Sequence, residues 1–242
     1  MSKYRQRIYG RYVEAATASL APDTLAGLAP RRAYLSGLIA EHFPADRNAA
    51  ILELGCGHGA LLHFAREAGY TRMTGVDGSP SQVAAARRLG IAGVSEGDLR
   101  AALAAVAPAS LDAIVAFDVI EHFDKNELID VTDAVLRALK PGGRWIVHVP
   151  NGASPFAGIV RYGDLTHELA FTPESLSQLF LSSGFSAATF HEDVPAGAGL
   201  KNVVRRLLWR FVRAGLRAYI AVETGVTAPI PLTQNLLAVA VK

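Results

Sequence analysis

Three kinds of residue in this sequence could do chemistry: carboxylates just after apolar runs, glycines in a tight turn, and histidines near both. Ile51-Leu-Glu-Leu-Gly-Cys-Gly-His-Gly59 carries an apolar run into a glycine turn. Glycines let the backbone turn sharply and let a ligand lie against it, and a helix opening after the turn offers unpaired N–H groups. That suits a nucleotide. The turn reads GCGHG and not G-x-G-x-x-G, so its spacing is not that of a dinucleotide site. Asp77, with Gly78 beside it, ends the next apolar run, where a carboxylate can accept both hydroxyls of a ribose. Its alternative task is to cap the helix opening at Ser79-Pro80. Gly97-Asp98-Leu99 and Phe117-Asp-Val-Ile-Glu-His122 follow two further apolar runs, and Leu139-Lys-Pro-Gly-Gly-Arg-Trp145 precedes another.

Elements must place these residues on one edge. Apolar runs at 50–54, 73–76, 93–96, 113–117, 144–149, 186–193 and 235–241 read as strands. Between them, helices run from the glycine turn to about 69, over 80–89 and 125–139, and onward from Thr172. Such alternation means a parallel, doubly wound α/β sheet. We expect one domain over 1–242: an N-terminal helical cap over 1–48 with helices at 3–20 and 31–43, a cofactor-binding core over 49–194, a helical insertion over 195–234, and a last strand over 235–242. Residues 150–171 read as a loop, and 200–222 as one long helix within the insertion.

Over roughly residues 49–190, the ordered motifs resemble those of class I S-adenosylmethionine-dependent methyltransferases. The resemblance implies a Rossmann-like seven-stranded sheet with its last strand antiparallel, S-adenosylmethionine as cofactor and S-adenosylhomocysteine as product. It implies that Gly55, Cys56 and Gly57 pass under the methionyl part, with Glu53 supporting that loop near the amino group. Asp77 would bind the ribose, Asp98 the adenine amine, and Leu99 would donate its backbone N–H to the ring. Asp118 and Val119 would line the methionyl and sulfonium end.

Methyl transfer from a sulfonium is an in-line displacement, served mainly by holding the nucleophile and the methyl carbon aligned and dry. An aliphatic hydroxyl also needs a base, whereas a phenol needs less help. His167, in Arg161-Tyr-Gly-Asp-Leu-Thr-His-Glu-Leu-Ala-Phe-Thr172, is our first candidate, with Asp164 to orient its ring; packing against Phe171 is the alternative. His122 is the second. Glu121-His122 resembles the pair in quinone-biosynthesis O-methyltransferases, some of which use a divalent metal, and Asp118 would complete an acid–acid–His set. The other reading is that this pair only orders the loop, and we expect no metal. His58 and His148 read as structural or cofactor-contacting.

Half of the 242 residues are hydrophobic, 19% are charged and the net charge is +2, which suits a folded domain and excludes global disorder. One cysteine, Cys56, excludes an internal disulfide and suits a cytoplasmic setting. The start of the chain lacks a signal-peptide pattern, and no apolar run is long enough to span a membrane. The positive charge is local: Arg206, Arg210, Arg213 and Arg217 recur at helical spacing, with Val204, Leu208, Phe211, Val212 and Tyr219 broadly opposite. We expect this helix over the cofactor-side mouth, apolar face inward, with part of its arginine stripe exposed. Three purposes stay open: a lid, a site for a phosphorylated acceptor, or contact with an anionic membrane. The N-terminal tyrosines, YGDLTHELAFT, the Arg/Trp-rich helix and ETG…TQNLLAVAVK together look like bacterial methyltransferases associated with surface-polysaccharide assembly. That resemblance implies a sugar hydroxyl on a glycan or lipid-linked saccharide, and a peripheral place at the inner membrane face. A small phenolic or quinone-like acceptor is the runner-up, and an inactive cofactor-binding interaction module is the third reading. Nucleic acid is not expected, since no Asn-Pro-Pro-Tyr-type motif follows the fourth strand.

Overall fold

The computed structural model describes residues 7–8, 21–194, 196–197 and 199–242. Apart from 7–8, the helix expected over 3–20 lies outside them, and Tyr4, Tyr9 and Tyr12 with it. After α1 (Ala29–His42), strands and helices alternate: β1 (Ile51–Leu54), α2 (Ala60–Glu67), β2 (Met73–Asp77), α3 (Pro80–Arg88), β3 (Val94–Glu96), α4 (Leu99–Ala105) and β4 (Leu111–Phe117). Then follow α5 (Lys125–Ala138), β5 (Leu139–Pro150), α6 (Ala157–Arg161), α7 (Pro173–Ser183), β6 (Ala187–Glu192), α8 (Leu200–Thr224) and β7 (Asn235–Val241). The seven strands form one sheet in the order β3-β2-β1-β4-β5-β7-β6. β7 pairs antiparallel with both β5 and β6, and the β1–β5 pairings are parallel.

The central strands β1, β4, β5 and β7 are mostly apolar and mostly buried on both faces, whereas the edge strands β3 and β6 are more polar and more open. Successive residues serve opposite cores. Ile51, Val115 and Ile146 join Leu35 and Ile39 of α1 and Leu61 and Phe64 of α2. Leu52, Ile114 and Trp145 join Val131 and Val135 of α5 and Phe180 of α7. Trp145 is fully buried between Phe180 and Phe185, at ring-centroid distances of 5.5 and 6.0 Å. Two helix starts show a local cause clearly. Asp124 and Glu127 form a capping box on α5, and Thr172 and Ser175 one on α7, with Pro173 where a missing N–H costs least.

Three placements differ from the sequence reading. The run 99–105, left unassigned, is a short helix capped by Asp98, which accepts from the Ala101 N–H. The segment 150–171 contains α6 and is not all loop. The third concerns α8, whose apolar side faces outward: Leu208 is 58% exposed and Phe211 68%. Its inward side carries Arg206, Trp209, Arg213 and Arg217. The cause is Glu192 at the end of β6, a largely buried carboxylate. Its Oε2 accepts from Arg213 Nη1 at 2.6 Å and from Trp209 Nε1 at 3.4 Å, and its Oε1 accepts from the Leu232 N–H. An unpaired charge there would be costly, so the cationic side of the helix is drawn in. Arg206 adds a bond to Gly197 O. Replacing Glu192 by Ala should therefore free α8: hydrogen exchange over 200–224 should rise well above wild type while exchange in β1, β4 and β5 stays unchanged.

Candidate active site

The carboxyl ends of β1, β2 and β4 open onto a cavity of about 520 Å³, within the usual range for small-molecule sites. Glu53, Gly55, Cys56, Gly57, Asp77, Gly78, Asp98, Leu99, Asp118 and Val119 all line it, as does His122. The glycine turn is built for close approach. Gly55, Gly57 and Gly59 have φ of +67°, +54° and +80°, and a Cβ on Gly55 would lie 2.4 Å from Val119 Cγ2. Asp77 holds the turn in place: Oδ2 accepts from the Gly57 N–H at 2.7 Å, and Oδ1 from the Ser79 N–H at 2.8 Å. Each carboxylate oxygen can accept more than one bond, so the edge turned to the cavity stays available for hydroxyls.

Glu53 is fully enclosed, and burial pushes its pKa up to about 8. Its Oε2 has no hydrogen-bond partner. An orphaned buried acceptor on the cavity wall is what an ammonium donor from a ligand would satisfy. The wall opposite, unforeseen from sequence, comes from Arg31 and Leu35 of α1. Nothing in their spacing marks them, because the face of α1 that meets the cavity is set by packing. Gln82 was also missed; its Oε1 lies 3.1 Å from His58 Nδ1, which places His58 as a support of the turn.

After β4, Asp118 takes φ +53°, a strained backbone for a residue with a Cβ, though aspartate tolerates it better than most. Its Oδ1 lies 2.7 Å from His148 Nδ1, and His148 Nε2 lies 3.4 Å from Asp193 Oδ2. Burial disfavours charge on His148, but these two carboxylates carry its pKa up to about 10. The surrounding protein likewise opposes ionisation of Asp118, whose side chain opens to the cavity, yet the His148 contact holds its pKa below the usual value. This pair is an imidazolium and a carboxylate. Asp118 is thereby committed to His148, and not to a metal set with Glu121 and His122.

The histidines at 122 and 167 sit edge to face, 4.8 Å between centroids. His167 Nδ1 lies 2.9 Å from the Val160 carbonyl and so must carry the proton there. Its Nε2 faces Glu121 Oε1 at 3.9 Å, and it does not line the cavity. The Asp164 carboxylate turns to Thr166, accepting from its N–H at 2.8 Å and its hydroxyl at 2.6 Å. Since the Thr166 proton goes to Asp164, the hydroxyl oxygen accepts from His122 Nδ1, 2.9 Å away. His122 is then the tautomer with its basic Nε2, and burial followed by the neighbouring His167 lowers its pKa. So Asp164, expected to orient His167, is joined through Thr166 to His122. Arg161 closes the segment by donating to the carbonyls of His167 and Glu168. Glu121 is fully buried, neither carboxyl oxygen has a hydrogen-bond partner, and its pKa is pushed up to about 8, first by burial and then by Asp118. Among the described residues, Glu121, His122 and His167 come close enough to hold a metal ion, as do Glu41, His42 and His191 elsewhere.

A methyltransferase-domain family model matches residues 28–189. The chain belongs to the methyltransferase-domain family. No curated protein matched the sequence. Its fold is similar to an S-adenosylmethionine-dependent methyltransferase from Archaeoglobus fulgidus, at TM-score 0.64 and 20% identity over the whole of both chains. It is similar to a Thermotoga maritima enzyme described as a possible histamine N-methyltransferase, at 0.58 and 18%, again over both whole chains. It also resembles phosphoethanolamine N-methyltransferase 2 of Haemonchus contortus bound to S-adenosylmethionine, at 0.59 and 17%, over all of this chain and 60% of that one. The orphaned Glu53 and the glycine cradle fit S-adenosylmethionine, the molecule bound in the Haemonchus contortus enzyme.

Two outcomes test this geometry. Asp77→Ala should weaken S-adenosylhomocysteine binding by about 1.5–3 kcal/mol per lost bond to the carboxylate, measured by calorimetry. Glu121 has a folded pKa above its ordinary 4.5, so its contribution to stability is present at pH 4 and is lost as pH rises toward about 8. Glu121→Gln should leave the melting temperature near wild type at pH 5 and raise it above wild type at pH 8.5.

Proposed function

We propose that this methyltransferase O-methylates a sugar hydroxyl of a glycan or lipid-linked saccharide at the inner face of the membrane. The observation that carries the reading is the relay Asp164–Thr166–His122, which presents a neutral imidazole on the cavity wall. An aliphatic hydroxyl needs such a base, and a lowered pKa keeps His122 unprotonated near neutrality. Bound S-adenosylmethionine supplies an electrophilic methyl carbon. The chain supplies the rest. Asp118, held ionised by His148, and Val119 fix the wall at the reacting end; Asp77 and Asp98 orient the nucleoside part; His122 takes the acceptor proton at Nε2. His167 acts by packing edge-on against His122 and by setting its charge state, so its share in proton transfer is indirect.

A phenolic or quinone-like acceptor is the second reading, favoured by one observation: Glu121 is buried without partners beside His122 and His167, as a metal ligand awaiting its ion would be. Against it, Asp118 is taken up by His148, so the acid–acid–His set of Asp118, Glu121 and His122 is not assembled. We hold to the metal-free reading, in which chelation leaves turnover unchanged; activity lost on chelation and restored by a divalent cation would reverse the order. An inactive interaction module is excluded by any acceptor-dependent release of S-adenosylhomocysteine. Mass spectrometry of glycan and lipid extracts from a deletion strain should show one saccharide lighter by a methyl group. In vitro, His122→Ala should lower kcat by roughly a hundred- to ten-thousandfold with cofactor affinity preserved. Thr166→Val should lower it less and shift the acidic limb of the kcat profile; an unchanged profile removes the relay.

A further inference from the structure

The outward side of α8 is an apolar surface with no cover among the described residues. At 100° per residue, Val204, Leu207, Leu208, Phe211, Tyr219 and Val222 occupy about a third of the circumference, and all are exposed, Val222 to 89%. A surface helix ordinarily buries that side. Here it cannot roll inward, because Arg206, Trp209, Arg213 and Arg217 anchor the opposite side to Gly197 O, Glu192 and Ile230 O.

The margins of the apolar side are cationic. Lys201 and Arg205 flank it along one edge and Arg210 along the other; all three are exposed, and the helix carries no acid before Glu223. No helix among the described residues is long and apolar enough to cross a membrane. An amphipathic helix of low overall hydropathy, with basic residues along its margins, lies in the plane of a membrane surface: apolar side chains enter the acyl boundary and the cations meet headgroups. A second exposed apolar group, Phe156, Ile159, Tyr162 and Leu165, belongs to the segment after β5 on the same carboxyl edge of the sheet.

The geometry points to a bilayer containing anionic lipid as the occupant of this surface, with α8 lying in its headgroup layer. The charges favour lipid over a second copy of this chain, which would bring the same cationic margins together. The inference deepens the membrane placement given above and does not depend on which hydroxyl is methylated.

The test is flotation of the full chain with vesicles of phosphatidylcholine and phosphatidylglycerol in equal parts, and with phosphatidylcholine alone, without acceptor. The protein should float with the mixed vesicles roughly a hundredfold more tightly than with the neutral ones, and high salt should reduce the difference. Leu208→Glu with Phe211→Glu should abolish flotation while S-adenosylhomocysteine binding stays normal. Arg205→Ala with Arg210→Ala, a surface change that leaves the apolar side intact, should remove most of the preference for anionic vesicles. No flotation of wild type, or flotation of both double variants equal to that of wild type, overturns the inference. A wild-type dimer that Phe211→Glu turns into a monomer, with no flotation, assigns the surface to a second copy instead. Loss of flotation without loss of turnover in detergent-dispersed acceptor would leave the acceptor reading standing.

Discussion

The ligand-side architecture depends on one buried cation, His148, held between two carboxylates. It joins three elements that share no local sequence: β4 through Asp118, β5 on which it sits, and the end of β6 through Asp193. Its ring stacks on Phe117 at 4.9 Å, and Tyr34 of α1 meets both rings edge-on at 6.5 Å. Burial, reinforced by the neighbouring Asp193, keeps the Tyr34 phenol protonated. The strained turn at Asp118, worth roughly 1–2 kcal/mol against it, persists because the charge pair offsets it. Loosen His148 and the wall formed by Asp118 and Val119 loses its position, as does the seat of α1 that brings Arg31 and Leu35 to the cavity.

That pair also explains a selective distribution of charge. Three carboxyls in and beside the cavity are not equivalent. Glu53 and Glu121 are enclosed, and burial raises both to about 8; Asp118 has an imidazolium beside it and stays ionised. Environment, not residue type, decides which acid carries charge. The site therefore keeps a fixed anion, Asp118, and an enclosed neutral acid, Glu53, on the cavity wall, and a second neutral acid, Glu121, outside that lining.

Much of this was legible in the sequence because backbone constraints are local. The glycines at 55, 57 and 59 announce positive φ, and strands followed by Asp77, Asp98 and Asp118 announce a shared edge; all ten residues read as cofactor-lining do line one cavity. The short helix over 99–105 escaped because an alanine-rich run with one deeply buried residue has no periodic signature. The histidines were harder. Spacing placed Asp164 beside His167, but the intervening Thr166 took up the carboxylate and passed the contact to His122, forty-four residues away. The orientation of α8 was misread for a similar reason. Its sequence states that one side is apolar, and the usual rule buries that side; the residue that decides otherwise, Glu192, lies on a different element.

The position of the insertion follows from the one antiparallel strand. Every other crossover must return to the opposite edge of the sheet through a helix, whereas β6 and β7 meet at the carboxyl edge and can be joined by a connection of any length. Lengthening a flexible connection costs only about 0.6 kcal/mol per doubling, so a long helix can be accommodated there without disturbing the parallel core. Along extended chain, successive side chains point to opposite sides. At the end of β6, Glu192 turns to Arg213 on α8 while Asp193 turns to His148 beneath the cavity. Two adjacent carboxylates thus divide the tasks of anchoring the surface helix and fixing the reacting wall. That dipeptide connects the seat of α8 to the reacting wall.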